Sequence, residues 1–129
     1  ARNPRATMKS VDHDRLSVYQ KAVAFLIVAD EIADELPRGR SYLKDQLHRA
    51  AVSILLNIAE GAGEFATMEK ARFYRMARRS ATESAAVLDA CRMLKLAEEA
   101  RCAAGRSQLL EIVSMLVQMI RNAGGEQDG

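Results

Sequence analysis

What the sequence lacks narrows its fold class. It has no tryptophan, only 5% aromatic residues, and two prolines, Pro4 and Pro37, in 129 residues. Strands favour aromatic and β-branched residues, whereas alanine, leucine and methionine favour helices. No segment alternates apolar and polar residues as a half-buried strand does. The composition therefore predicts an all-α chain, long enough for one domain with a hydrophobic core.

The sequence also has only two cysteines, no long apolar run and a small net charge of +2. Cys91 and Cys102 cannot form a disulfide framework, and Cys91 lies among apolar helix positions, which predicts a buried, reduced thiol. No apolar run reaches transmembrane length and no signal peptide is recognisable. We therefore expect a cytoplasmic protein with no membrane partner. The first ten residues hold three of the 19 basic residues and no acid, so the remaining 16 bases nearly balance the 17 acids. Net charge alone does not indicate nucleic-acid binding.

Motifs for metal, cofactor or catalytic chemistry are missing as well. A di-iron site in a helix bundle needs two Glu-x-x-His pairs, and only Asp45 and His48 have comparable spacing. The two cysteines lack zinc-ligand spacing, and no glycine-rich phosphate loop is present. The sequence thus predicts no metal, no cofactor and no catalytic residue, and we expect the protein not to be an enzyme.

Apolar residues recur at three- and four-residue steps in four segments. They predict helices at about 14–36, 42–62, 68–98 and 107–122, with Ser41, Thr67 and Ser107 as N-caps. Short connections between long helices predict an antiparallel, up-down-up-down four-helix bundle over residues 13–122. Residues 1–12 are predicted to be a flexible basic arm or tag remnant, and residues 123–129 a disordered tail.

The same periodicity predicts which face of each helix is buried. The first helix is expected to bury Leu16, Tyr19, Val23, Leu26, Ala29 and Ala33. The third is expected to bury Phe73, Ala77, Ser80, Ser84, Val87, Cys91 and Leu94, with both serines small enough for close helix approach. The fourth is expected to bury Leu109, Ile112, Val113, Leu116 and Ile120.

The second helix combines a narrow polar stripe with a wide apolar arc. Arg49, Ser53, Asn57 and Glu60 share the stripe, which we interpret as a structural polar network with paired, buried members. The apolar arc is far wider than the ~100° that a surface helix needs, so one core cannot cover it. The surplus face is predicted to be an oligomer interface, because self-association buries it. Its residues are Val52, Leu55, Leu56 and Ala59.

This helix also carries a family resemblance. The stretch from His48 to Gly61, "HRAAVSILLNIAEG", resembles four-helix-bundle proteins encoded in intervening sequences of bacterial 23S ribosomal RNA genes. "SVYQKA" and "DQLHRAA" are similar to other parts of that family, and Ser80 and Glu83 match its small and acidic positions. The resemblance implies a ring-shaped homopentamer of unestablished activity and adds Glu83 to the polar network. Accessory proteins of diversity-generating retroelements, which bind nucleic acid, are more distantly similar.

The third helix contains the acid-free run "KARFYRMARR". Its cations are Lys70, Arg72, Arg75, Arg78 and Arg79. Arg72, Arg75 and Arg79 share one stripe, and Tyr74 lies near enough to stack on a base. This pattern predicts a nucleic-acid-binding surface. The alternative is an ordinary solvated face, with Arg79 pairing with Glu83 one turn later or arginines pairing with a neighbouring subunit.

Two functional interpretations therefore remain open. The first is a non-enzymatic homo-oligomer that binds RNA or DNA through the basic stripe. The second is a structural scaffold that binds a protein partner and no nucleic acid. Assembly is expected under both, so exposure of the arginines in the oligomer distinguishes them.

Overall fold

The computed structural model describes residues 4–124, with side chains from residue 13 onward. Within that range the chain forms no strand and four helices: α1 (Pro4–Glu35), α2 (Ser41–Gly63), α3 (Thr67–Met93) and α4 (Glu99–Asn122). The prediction of an all-α chain is confirmed. Residues 1–3 of the predicted arm and residues 125–129 of the predicted tail lie outside the described residues.

Contacts between helices make each neighbouring pair antiparallel. Arg15, early in α1, donates a hydrogen bond to the carbonyl of Ala62 at the end of α2 (3.1 Å). Asp30, late in α1, lies 3.3 Å from His48 in the first half of α2. Between α2 and α3, Lys70 meets Gly61 and Ser80 meets Ser53, again in inverse order. Between α3 and α4, Asp89 near the end of α3 pairs with Arg106 near the start of α4. Between α1 and α4, the pairs are Lys21 with Glu111 and Glu35 with Arg101. The helices therefore close a ring in chain order, as the up-down-up-down prediction requires.

The core lies along the axis of this ring. The predicted core residues Ala29 and Ala33 of α1 are fully buried, but the first half of α1 buries a different face from the one predicted. Val18, Ala22 and Phe25 are fully buried, together with Ala29 and Ile32. The predicted core residues Leu16 and Tyr19 are 56% and 39% exposed. This part of the prediction is wrong because α1 carries apolar residues on two faces, and periodicity cannot tell which of them meets the core.

Three helix ends also differ from the prediction. α3 ends at Met93 rather than near Glu98, and Leu94, which was predicted to be buried, follows the helix and is 48% exposed. α1 begins at Pro4 rather than near Asp14, and proline is well suited to the first position of a helix. α4 begins at Glu99 rather than at Ser107, so Ser107 lies inside the helix and is no N-cap. Gly105, two residues before Ser107, is buried inside α4 and packs against Leu88 of α3. A side chain on Gly105 would place its Cβ 3.0 Å from Leu88 Cδ1. This glycine serves close helix packing rather than helix termination.

A second close approach joins α2 to α3. The Tyr74 ring of α3 packs directly on the backbone of Gly61, where a Cβ would lie 2.5 Å from ring carbon Cε1. Tyr74 is consequently only 1% exposed, and its predicted role in base stacking is wrong. Cys91 is fully buried and unbridged, as predicted, and burial raises the pKa of its thiol.

Gly61→Ala is expected to destabilise the bundle. The new methyl group overlaps the Tyr74 ring, and overpacking of this kind costs about 1–3 kcal/mol. That cost exceeds the roughly 0.5–1 kcal/mol by which alanine favours a helix over glycine. Gly63→Ala is the matched control, since no atom lies within 4 Å of its Cβ position. Urea unfolding at one protein concentration measures both, and equal midpoints for the two variants would contradict the packing argument.

Candidate nucleic-acid surface and self-association face

Four arginines of α3 line one open cleft on the bundle surface. Arg72, Arg75, Arg78 and Arg79 surround it, with Met76, Thr82 and Val113 of α4 completing the wall. We call this feature the arginine cleft. Its volume is about 400 Å³. It lies on the α3–α4 side of the ring, because Val113 belongs to α4. The structure thus brings together four of the five cations that the sequence singled out.

The four guanidinium groups are held differently. Arg72 pairs with Glu69 at 2.9 Å and lies over the Phe73 ring, 4.6 Å from its centroid. The hydrogen bonds that Arg72 donates to the Glu69 carboxylate raise the pKa of Arg72, which keeps its charge fixed. Arg75 and Arg78 are half-buried and Arg79 is exposed. Within residues 13–124, Arg79 forms no ion pair with Glu83, contrary to the alternative interpretation of the sequence.

Lys70, the fifth cation of the run, points elsewhere. Its Nζ donates to the carbonyls of Gly61 (2.8 Å) and Ala62 (3.5 Å) at the end of α2. Arg15 donates to the same Ala62 carbonyl from α1. Cations stabilise the C-terminal end of a helix, where carbonyls lack intrahelical partners. Burial, followed by the neighbouring Arg15 charge, holds the pKa of Lys70 below its ordinary value. Lys70 therefore caps α2 and does not line the arginine cleft, and the sequence offered no signal for Arg15.

The predicted polar network on α2 divides into two parts. Asn57 donates to the backbone carbonyl and the hydroxyl of Ser53, and the Ser80 hydroxyl of α3 donates to the Ser53 hydroxyl at 2.8 Å. A buried hydroxyl of α3, Ser84, donates to the Ser80 carbonyl. These residues link α2 to α3. The remaining members of the prediction, Arg49, Glu60 and Glu83, are exposed and outside this network.

The surplus apolar face of α2 remains uncovered and continues onto α1. Leu56 is 57% exposed, Val52 and Ala59 are exposed, and Leu55 is half-buried. The register set by the Arg15–Ala62 and Asp30–His48 contacts places the outward apolar residues of α1 beside them. These are Leu16, Tyr19, Val23 and Ile27, of which Leu16 and Ile27 are each 56% exposed. We call the two sets together the α1–α2 apolar face. The α1 half is not predicted from the sequence, because its periodicity places Leu16, Tyr19 and Val23 in the core and gives Ile27 no role.

Two other kinds of site are not found in the described part of the chain. Among these residues no group of three or more histidine, cysteine, aspartate or glutamate side chains could hold a metal ion. None of the four described helices combines the length and apolar character needed to span a bilayer.

The structure is an all-α four-helix bundle with an exposed apolar face on α1 and α2 and an arginine-lined cleft on α3 and α4. The model of the family described as 23S rRNA-intervening sequence protein matches residues 14–118, and the chain belongs to that family. The resemblance recognised in the sequence is thereby confirmed.

The fold is also found in a solved structure. A protein of unknown function from the S23 ribosomal protein family of Bacteroides thetaiotaomicron VPI-5482 superposes with a TM-score of 0.77. The match covers 84% of this chain and 98% of that chain at 17% sequence identity, so the likeness concerns the fold alone. No curated protein matches the chain.

Removing the Asn57 and Glu60 side chains separately should distinguish the two parts of the polar stripe. Asn57→Ala should lower the free energy of unfolding by about 1 kcal/mol, because it removes hydrogen bonds at the half-buried α2–α3 contact. Glu60→Ala should change it by less than about 0.5 kcal/mol, because Glu60 is exposed. Urea unfolding of both variants is the measurement. A larger loss for Glu60→Ala would place that side chain in a subunit contact.

Proposed function

We propose that the protein is a non-enzymatic bundle that assembles with copies of itself and binds the phosphate backbone of RNA or DNA. Assembly uses the α1–α2 apolar face, and nucleic acid binds in the arginine cleft. The observation that carries the proposal is the position of these two surfaces. The apolar face lies on α1 and α2, whereas the cleft lies on α3 and α4, so burying the first does not require burying the second on the same copy.

The apolar face supports self-association on energetic grounds. Fully burying a large apolar side chain contributes roughly 1.5–3 kcal/mol relative to leaving it in water. Leu16, Ile27 and Leu56 are each more than half exposed on this one face. In a ring, the apolar face of one copy packs against a different surface of the next copy, because the contacts that close a ring are head-to-tail. The ring-shaped homopentamer implied by the family resemblance is the expected assembly.

The chemistry of the cleft supports phosphate binding. Guanidinium groups donate paired hydrogen bonds to phosphate oxygens, and several within one cleft match the spacing of a polyanion better than isolated lysines. Arg79 is exposed, and Arg72 is oriented by Glu69 and Phe73 toward the cleft that it lines. Binding of this type is mostly independent of sequence and weakens steeply with salt.

A scaffold without nucleic-acid binding is the second candidate. One observation favours it: Glu69 already neutralises Arg72, and Lys70 is engaged in capping α2. Under this interpretation the arginines maintain a solvated face, and the exposed apolar residues bind other copies or a protein partner.

Leu56→Glu should weaken assembly. Wild-type protein at micromolar concentration is expected to scatter light with a mass several times the 14.2 kDa of one chain. A buried glutamate at an apolar contact has no partner, so Leu56→Glu should shift the mass toward the monomer. Leu110→Glu is the control, because Leu110 is 60% exposed on α4 and lies outside the apolar face. A monomeric wild type would overturn the assembly proposal, and unchanged assembly in Leu56→Glu would locate the interface elsewhere.

Replacing Arg72, Arg75 and Arg79 together by glutamine should weaken binding of a hairpin RNA at low salt. The slope of log affinity against log salt should fall in magnitude by up to about 3 units, because the variant makes fewer phosphate contacts and so releases fewer counterions on binding. Fluorescence anisotropy across a salt series is the measurement.

The control is a second triple variant that changes the exposed Arg38, Arg92 and Arg121 to glutamine. It removes the same charge but leaves the cleft intact, so most of the affinity should remain. Absence of RNA and DNA binding by the wild type at low salt would favour the scaffold. Failure of the cleft variant to assemble would place its arginines in a subunit interface.

A further inference from the structure

A small cavity lies at the end of the bundle where α3 begins and α4 ends. Its volume is about 190 Å³, and it is separate from the arginine cleft. The wall residues that matter here are Asp14 and Arg15 of α1, Lys70 and Tyr74 of α3, and Met119 and Asn122 of α4. An engineered apolar cavity of ~150 Å³ holds benzene. The space therefore suits a molecule built around one six-membered ring.

Tyr74 gives this cavity an unmet hydrogen-bonding requirement. Its side chain lines the cavity and is 1% exposed, and its hydroxyl forms no hydrogen bond with any residue of the described range. Buried side-chain polar atoms nearly always have a partner, so an exception calls for an explanation. The ring is held by Gly61 and cannot easily turn its hydroxyl toward water. The hydroxyl oxygen has almost no surface open to a water-sized sphere, so an acceptor in the cavity reaches it when a neighbouring wall side chain moves aside.

The charges around the cavity favour an acidic group as that acceptor. Lys70 has three N–H donors, of which two point at the carbonyls of α2. Burial, followed by repulsion from the neighbouring Arg15 charge, holds the pKa of Lys70 below its ordinary value, although Glu64 acts to raise it. A carboxylate between Arg15 and Lys70 would relieve the repulsion and accept the remaining Lys70 donor.

The other charges and helix dipoles at this end of the bundle contribute little to the preference for an anion. Asp14 opposes an anion, but it is only half-buried and also borders a neighbouring surface cleft, where its charge is screened by solvent. The start of α3 at Thr67 and the end of α4 at Asn122 both line the cavity, so their helix dipoles have opposite signs. Glu64 also attracts Lys70 but does not line the cavity, so Arg15 and Lys70 are the charges that a ligand opposite Asp14 would meet.

We propose that this cavity binds a small organic acid with one ring, whose carboxylate meets Tyr74 and Lys70 and whose ring packs on Met119. Methionine is the most adaptable residue of the wall and provides the movement that entry requires. The site is independent of both self-association and nucleic-acid binding, because none of its wall residues belongs to the arginine cleft or the α1–α2 apolar face.

Titration calorimetry of the full chain with benzoate tests the proposal. Benzoate should bind, whereas benzyl alcohol, which lacks the charge, and benzylammonium, which reverses it, should bind at least about tenfold more weakly, as the loss of a charged hydrogen bond implies. Benzylammonium binding more tightly than benzoate would show that Asp14 governs the site and would overturn the proposal. Absence of benzoate binding at millimolar concentration would also overturn it.

Tyr74→Phe provides the second readout. This change removes only a hydroxyl that has no partner in the free protein, so the melting temperature without ligand should stay the same or rise. Benzoate affinity should fall by roughly 10- to 100-fold. Tyr42→Phe is the control, since Tyr42 is exposed and its hydroxyl accepts from Arg40 outside the cavity. Unchanged benzoate affinity in Tyr74→Phe would exclude the hydroxyl as a ligand-binding group.

Discussion

The packing of the Tyr74 ring on the bare backbone of Gly61 is the contact on which the arrangement of α2 depends. It brings α3 close to the last turns of α2. The hydrogen bond from Ser80 to Ser53 joins the same two helices further from that end of α2. With one side held against α3 and another against the core, α2 has no helix left in the chain to cover its outward apolar residues. The outward apolar face of α2 is thus uncovered because its other faces already pack against α3 and the core.

The same contact determines the chemistry at the end of the bundle. Burying the Tyr74 ring also buries its hydroxyl, and the end of α2 beside it leaves carbonyl groups without intrahelical partners. Lys70 and Arg15 meet those carbonyls, which draws two cations into a partly dry region. The requirement to cap one helix therefore concentrates positive charge beside an unpaired hydroxyl, and this combination makes the end cavity chemically distinctive.

Helix number, order and direction could be predicted from the sequence because apolar periodicity and short connections are local signals. The buried face of α1 could not, since Leu16 and Val18 are equally apolar and only packing against the other helices selects between them. The start of α4 could not be predicted for a related reason, because Gly105 lies inside the helix rather than before it. A glycine that ends a helix and a glycine that lets two helices approach look alike until the neighbouring Leu88 is known. Side-chain direction limited the site predictions in the same way, as Tyr74 and Glu60 show.

The basic run on α3 illustrates why charge in a sequence differs from charge on a surface. Lys70 through Arg79 contains five cations and no acid, yet Lys70 is directed at the α2 carbonyls and Glu69, just outside the run, pairs with Arg72. The cleft consequently presents less free positive charge than the run contains. A single copy would then attract a polyanion only weakly, because exposed charges are screened over about 10 Å at 0.1 M salt. Repetition of an open cleft around an assembly would restore a strong field. Nucleic-acid binding on this surface is therefore expected to depend on self-association.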